Sequence, residues 1–531
     1  VPIAEEPGAI TIHWPGEGHA IRYVAGAGFD GMISRISPAR RAMVHAAAVL
    51  AWRRAAGLPF GKVPGLAPRA ASGLSDGERA FLDQTEQVVH DLLRLGLAAV
   101  AEVSRERVAA LAVAARAEHL PRLAASLRSL AAAIDALATR RVDASAAEAL
   151  SRMARTVALI EALRRASPQT LPGLRGRHRA LYTPVGSLEL VPVIGHRWRA
   201  RGGSEGVRLL FWAPQHGEWL EWSQPRLGRA GIDPAARFST LGPWPPLSFA
   251  GIAGRSRLLL ADAAIGAGHR LSASGGTVAQ TLPGPWWAPA ERFGATDFTD
   301  WPSLRAWIAG QVPVGLSGEE AGPRVAVLRP AAWGRPVFDA TRQTLLCPLL
   351  DGNGGSLVLT VPYHPVTAPR IQVLECLPDA LLSGAAVVCG LSFSAADWWM
   401  EPLGLVRTDE PRLIHLDFPP PELTRNEPHA ASPTPAPADT PPSPLRSYQE
   451  ALTTLAEAGL SGGISDSLRR RCVALSGQAL ENGLARPASL FARLAGGAAA
   501  PSTVVALAWQ LEVLRGIALR RMIGTRNGWN P

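Results

Sequence analysis

The chain has almost no lysine, little cysteine and no long uninterrupted apolar run, and each shortage excludes something. All but one of its 54 basic residues are arginine; the exception is Lys62. Phe60-Gly-Lys62-Val-Pro lacks the first glycine and the Ser/Thr of a phosphate-binding P-loop, so that nucleotide class is excluded. The four cysteines, Cys347, Cys376, Cys389 and Cys472, form neither C-x-C nor C-x-x-C, which leaves no zinc ribbon and no redox pair. So few thiols in so long a chain make no disulfide framework, and a reducing cytoplasm is the expected compartment. No stretch of about 20 apolar residues runs without Arg or Pro, so no membrane span and no membrane partner are expected. The start, VPIAEEPGAITIHW, lacks a basic region followed by an apolar one, and no signal peptide is expected. The chain opens on Val1 rather than Met, which leaves open whether residues precede it.

What is present is a globular composition, 47% hydrophobic, spread over 531 residues, enough for three or four compact units. The net charge is +10. A GC-rich genome accounts for part of the arginine, alanine, glycine and proline enrichment. The excess still suits a phosphate-rich or acidic partner.

The pattern along the chain predicts an α+β protein. Residues 1–33 read as an N-terminal β-hairpin, Ile10–Trp14 and Ala20–Val24 around a Pro-Gly-Glu-Gly turn. Residues 34–170 read as a helical domain. Its apolar residues recur at spacings of three and four in 81–95, 104–118, 120–138 and 145–165. Residues 171–417 read as a Trp-rich antiparallel β region, divided near 290–320 by a helix over 300–312. Within it, 188–194, 207–212 and 218–222 predict a meander, and 345–350 with 356–361 a hairpin around Asp351-Gly-Asn-Gly-Gly355. Residues 418–446 are a Pro-rich linker that cannot build a core, and 447–531 a C-terminal helical module. At an offset of 364 residues, Leu111, Leu120, Arg122, Ala124 and Leu130 fall on Leu475, Leu484, Arg486, Ala488 and Leu494. Duplication and chance similarity between Ala/Leu-rich helices both account for this; a true helical repeat is more typical of scaffolds than of enzymes.

No catalytic pattern keeps its structural context. Gly26-Ala-Gly28-Phe-Asp-Gly31 fits G-x-G-x-x-G, but no acid occurs between Asp30 and Asp76 to hold a ribose, and Pro38 is the expected start of the next helix. Gly73-Leu-Ser75-Asp-Gly77 and Gly459-Leu-Ser461-Gly-Gly463 both fit G-x-S-x-G. No strand precedes the first, whose Ser75 and Glu78 read as a helix capping box, and Gly459 reads as a helix C-cap. His13 and His19 flank the first turn without a third metal ligand, and His178, His196 and His216 are expected at a partly exposed surface. A catalytic residue is therefore not assigned.

The most informative stretches are Arg175-Gly-Arg177-His-Arg179 and Arg197-Trp198-Arg199-Ala-Arg201, followed by Trp212, Trp219 and Trp222. Arginine forks contact phosphates and aromatic faces stack bases, which makes Arg175, Arg177, Arg179, Arg197, Trp198, Arg199 and Arg201 candidate nucleic-acid contacts. The other reading has the tryptophans filling a thin β core while the arginines solvate its rim.

AIRYVAGAGFDGMIS with RRAMVHAAAVLAWRRAAG, GSLELVPVIGHRWRARGG with VRLLFWAPQHGEWLEWS, DPAARFSTLGPWP, AAWGRPVFDATRQTLLCPLLDGNG with LTVPYHPVTAPRI, and WWMEPLGLV together resemble bacterial SWIM zinc-finger proteins, in the region following the finger. The finger's C-x-C and C-x-H are absent from this chain, so no zinc ligand is carried over and zinc is implied only if a finger lies upstream. The resemblance implies nucleic-acid or protein binding alongside an AAA-type ATPase or a von Willebrand A protein. The expectation is a non-catalytic, cytoplasmic adaptor or scaffold, with nucleic acid the favoured ligand and no cofactor. A protein–protein scaffold is the alternative. Behind it stands a hydrolase or nucleotide-dependent enzyme whose site is assembled from distant residues.

Overall fold

The structure, a computed structural model, describes residues 3–13, 20–24, 31–34, 38–58, 73–141, 144–176, 182–199, 205–226, 234–240, 242–273, 276–287, 293–316, 322–393, 398–407, 412–420, 423, 444–497 and 500–525. It confirms a mixed α+β fold. The chain divides into two compact units, Val1–Gly73 and Leu74–Pro531.

In the first unit the expected hairpin is the centre of a four-stranded antiparallel sheet. Its strands, in order, are Ile3–Glu6, Ala9–His13, Ala20–Val24 and Met32–Ile33. The helix Pro38–Ala55 starts at the proline, whose fixed φ and missing N–H suit a first turn. Its Val44 and Ala48 share a core with Ile12, Ile21 and Met32. The expected boundary at 33–34 therefore falls inside this unit, because the sheet's apolar face needs that helix to cover it. Gly26 and Gly28 lie outside the described residues. After Gly31 comes the strand Met32–Ile33, not the helix N-terminus that a dinucleotide loop requires.

The second unit opens with the helices Asp76–Leu95, Glu102–Ala117, Pro121–Ala138 and Ala146–Arg164. The capping box is present: Glu78 N donates to Ser75 Oγ at 3.1 Å, and Ser75 N donates to Glu78 Oε2 at 2.7 Å. Gly459 ends its helix with φ +78° and its N–H on Leu455 O at 3.1 Å. Both serine motifs are thus helix punctuation.

The C-terminal helices are Pro444–Ala458, Asp466–Glu481, Ala485–Ala495 and Pro501–Thr525. Rather than a separate module, they share one hydrophobic core with the first set, in which Leu82, Leu93, Leu127 and Ile160 join Tyr448, Leu455, Phe491 and Leu507. Amphipathic helices of this length leave an apolar stripe to bury, and here each set covers the other's. Of the Pro-rich stretch, 424–443 lies outside the described residues. The helix Pro501–Ile523 is long and apolar enough to cross a membrane (mean hydropathy 1.3), a length and composition the run-based reading did not expect. In this fold its Val504, Val505, Leu507 and Leu511 belong to the shared core.

The repeat noticed in the sequence is a geometric one. Glu102–Ala117 and Asp466–Glu481 begin and end at the same offset of 364, as do the starts at Pro121 and Ala485. The connecting turns match as well. His119 and Gly483 take φ +57° and +72°, and Leu120 and Leu484 each donate to a carbonyl five residues back, Ala115 and Ala479, both at 2.8 Å. Buried Val108, Leu111, Ala115, Leu127 and Leu130 correspond to Cys472, Leu475, Ala479, Phe491 and Leu494. Each leucine among them contributes about 1.5–3 kcal/mol by leaving water. The helices before the hairpins end at Gly96 and Gly459, which touch each other. A Cβ on Gly96 would lie 2.8 Å from Glu457 O and Gly459 N, and one on Gly459 2.8 Å from Arg94 O and Leu95 O. Reciprocal contact of equivalent residues is the mark of an isologous, two-fold arrangement.

The β region has a six-stranded sheet around the long strand Tyr182–Arg199, which pairs with Glu205–Ala213 on one side and Arg257–Gly266 on the other. A five-stranded sheet contains Val325–Leu328, Ala385–Phe393, Trp398–Arg407 and Arg412–His415. The expected hairpin is Thr344–Leu350 with Ser356–Pro362, and the expected helix is Trp301–Gln311. Val191, Val193, Trp212, Trp219, Phe293, Val327 and Val388 form a core shared by the two large sheets. Phe293 stacks between Trp287 (4.3 Å) and Trp219 (5.2 Å).

Candidate nucleic-acid interface

Because Trp212 and Trp219 fill this core, at 3% and 4% exposure, they offer no face to a base. Trp222 is half-buried against the neighbouring core. This part of the aromatic platform is therefore structural.

The arginine candidates separate. Arg177, Arg179 and Arg201 lie outside the described residues. Arg175, at the end of the short helix Leu171–Arg175, is held in the helical region by Glu78 at 2.7 Å. Burial opposes ionisation of Glu78, but the Ser75 backbone and the Arg175 guanidinium outweigh it and hold its carboxyl below the usual range.

Arg197, Trp198 and Arg199 remain together at the end of the long strand, opposite Val207, Gly206 and Glu205. Arg197 lies over the Phe418 ring at 5.5 Å, while its backbone N–H donates to Asp417 Oδ2 at 2.7 Å. Trp198 is half-buried, with the Arg208 guanidinium 6.0 Å from its ring. Arg199 is exposed and meets His364 through Nη1 and Nε2.

His364 follows the strand Ser356–Pro362, and next to it stands Tyr363, 51% exposed, with its ring 6.5 Å from Phe338. Tyr363 N donates to Gln343 O at 2.7 Å, which sets exposed Arg342 beside the same strand ends. The fold thus gathers Arg199, Arg342, Tyr363 and His364 at one rim from three separate segments. Reasoning from sequence missed Arg342 and Tyr363. The available signal was their position at the two open ends of a confidently predicted hairpin.

Beneath the rim is a buried charge network. Arg370, on the helix Ala368–Cys376, is 1% exposed and donates to both Asp417 oxygens, at 3.0 and 2.6 Å, and to Glu401 Oε2 at 3.0 Å. Burial works against its charge, but Asp417 and then Glu401 raise its pKa above the ordinary value. Glu401 also accepts from Trp399 Nε1 at 2.7 Å. Asp417 thereby joins a helix to the backbone of the long strand. His415 Nδ1 accepts the Gly195 N–H at 3.2 Å, and burial lowers this imidazole to about 3. His196, expected near the surface, is 8% exposed; burial, then Arg208 and Arg370, push it well below its usual value. Both rings are neutral and structural. Among the described residues, no group of three or more His, Cys, Asp or Glu could hold a metal ion.

The segment that carries Arg342, Tyr363 and His364, but not Arg199, is similar to a known domain family. A family model described as the YehQ C-terminal OB-fold domain matches residues 322–441. Within that span run Val325–Leu328, Thr344–Leu350, Ser356–Pro362, the helix Ala368–Cys376, Ala385–Phe393 and Trp398–Arg407. The match is similarity over that span, compatible with nucleic-acid or protein binding. OB-folds bind oligonucleotides and oligosaccharides on the face and adjoining loops of their second and third strands. Tyr363 and Arg342 adjoin the hairpin Thr344–Leu350 with Ser356–Pro362, which lies within the matched span. No curated protein and no solved structure matches the chain.

Proposed function

We propose that the protein is a non-catalytic binder of nucleic acid that contacts its ligand at the Arg199–Arg342–Tyr363 rim. The observation that carries this reading is the contact of Arg199 with His364, which sets the predicted arginine cluster beside an exposed aromatic on the OB-matched segment. A guanidinium fork engages phosphate oxygens, and a phenol ring stacks a base without regard to its identity, so recognition is sequence-tolerant. The capping roles of Ser75 and Gly459 support assigning no catalysis to the two serine motifs. A cytoplasmic setting and an AAA-type ATPase or von Willebrand A partner, both drawn from sequence reasoning, belong to the same proposal.

A second reading, protein docking, is favoured by apolar residues on the outer faces of the repeated hairpins. Val103 and Val113 are 74% and 72% exposed, and Val473 and Leu480 are 60% and 61% exposed.

Fluorescence anisotropy with labelled single-stranded and duplex oligonucleotides, at 50 and 200 mM salt, separates the readings. Binding that weakens steeply with salt, and a further loss of about tenfold or more in Arg199→Gln/Tyr363→Ala, is expected for the rim. Wild-type affinity in that variant removes the rim. No binding to any oligonucleotide leaves the protein-docking reading.

A further inference from the structure

The two copies of the helical hairpin share a backbone but not a surface. In the first copy, Arg105 is paired with Glu102 at 3.0 Å and with Glu106 and Asp135 at 3.5 Å, and Arg107 with Asp91 at 3.6 Å. At the corresponding sites of the second copy stand Arg469, Arg470 and Arg471, with Arg470 where the first copy has Glu106. Of these only Arg471 has an acidic partner among the described residues, Glu450 at 3.4 Å, which Arg446 shares at 3.3 Å. On the second helix of this copy, Arg486 and Arg493 are exposed and likewise lack an acidic partner among the described residues. Residues 466–495 carry five arginines against two acids, whereas residues 102–138 carry five against four.

Packing does not require an unpaired basic surface at this end, because the first copy builds the same hairpin with Arg105 and Arg107 paired to acids. Four uncompensated guanidinium groups close together repel one another and cost stability unless a polyanion neutralises them. Ser476 Oγ donates to Ala488 O at 2.9 Å and fixes the antiparallel register. That register brings Arg493 toward the end of the hairpin that carries Arg469 and Arg470. Arg486 and Arg493, seven residues apart on one helix, are separated by about 10 Å along its axis, close to the axial rise of three steps along one strand of a duplex.

We infer that the Asp466–Ala495 hairpin is a second nucleic-acid contact surface, on which Arg469, Arg470, Arg486 and Arg493 bind the phosphate backbone. It rests on the nucleic-acid reading above and adds a site that neither the predicted arginine clusters nor the OB-matched segment includes. It supplies affinity without base selectivity, since guanidinium–phosphate contacts carry no sequence information.

The test is anisotropy titration of the full chain with a labelled 30-nucleotide single strand over a salt series. The variant Arg469→Gln/Arg470→Gln/Arg486→Gln/Arg493→Gln is expected to bind about tenfold or more weakly at low salt. Its log–log salt slope should be smaller by about two to three, at roughly 0.7 per lost phosphate contact. Arg470→Glu alone, which copies the residue the other hairpin already carries, should also weaken binding and guards against misfolding of the fourfold variant. Arg105→Gln/Arg107→Gln, at the acid-paired arginines of the first copy, should change affinity little. Wild-type behaviour of both second-copy variants overturns the inference and leaves the rim standing. Equal losses at both copies reduce it to a general effect of net charge and overturn it too. If the wild-type chain binds no nucleic acid, the proposed function fails first and this surface with it. Displacement of the strand by polyglutamate at equal concentration of charge overturns the commitment to nucleic acid in favour of an acidic protein.

Discussion

The helical region and the β region of the second unit are held together in different ways. The helical region is assembled from the same hairpin twice, and its shared core is apolar almost throughout, from Leu82 and Ile160 to Tyr448 and Phe491. Its special positions are backbone ones, the mutually touching Gly96 and Gly459. The β region has no repeat to rely on. At the contact between its sheets it buries charge, with Arg370 between Asp417 and Glu401, and the neutral rings of His196 and His415. Helices satisfy their own hydrogen bonds, so two of them can meet through side chains alone. Strands from distant segments need something to set their relation, and here a guanidinium with a fixed fork geometry does so.

If that difference is real, breaking the charge should have the largest effect. Arg370→Met leaves the buried Asp417 carboxylate, and the half-buried Glu401 beside it, facing an apolar side chain, and a loss of about 3–5 kcal/mol is expected. Urea unfolding followed by tryptophan fluorescence measures it. A loss under about 1 kcal/mol would place Arg370 among incidental ion pairs. The corresponding fault in the helical region is steric. Gly96→Ala and Gly459→Ala each put a Cβ against backbone 2.8 Å away at positive φ, at a cost of about 2–4 kcal/mol. Since the two glycines touch, the double substitution should cost less than the sum, and additive losses in thermal melts would count against the reciprocal contact.

A smaller effect comes from pH. His415 and His196 both have lowered folded values, so the folded chain takes up these protons only well below 6.5, the ordinary value at which the unfolded chain takes them up. Their contribution is complete above pH 6.5 and is lost as pH falls toward 3, at first by about 2 kcal/mol for the pair between pH 6.5 and 5.5. Because the tryptophans crowd the β region, fluorescence should report loss at a higher pH than the helical circular-dichroism signal. Coincident transitions would mean that the two regions do not differ in this respect.

Much of the helical region was legible because helix formation is local. The three–four spacing located Glu102–Ala117, Pro121–Ala138 and Ala146–Arg164 to within two residues at each end. Ser75 with Glu78 announced a capping box, and the 364-residue offset marked the second hairpin. Hairpins were legible for the same reason: Asp351-Gly-Asn-Gly-Gly355 lies between two alternating runs, and the turn fixes the register of Thr344–Leu350 on Ser356–Pro362.

Partnership between distant segments was not legible. Nothing near Arg199 names His364, and nothing near Gly195 names His415, because a β contact across more than a hundred residues leaves no periodic trace. For that reason the tryptophans beside the arginine cluster left two readings, a binding platform or a thin β core, and burial places Trp212 and Trp219 in the core. The rim residue Tyr363 passed without notice for the same reason. Whether an arginine is spent on an acid, as Arg175 is on Glu78, or left facing water, as Arg470 is, depends on what the fold brings within about 4 Å. Sequence determined the elements, the repeat and the excess of positive charge; tertiary structure alone decided which of those charges are available, since compensation is a matter of distance in space.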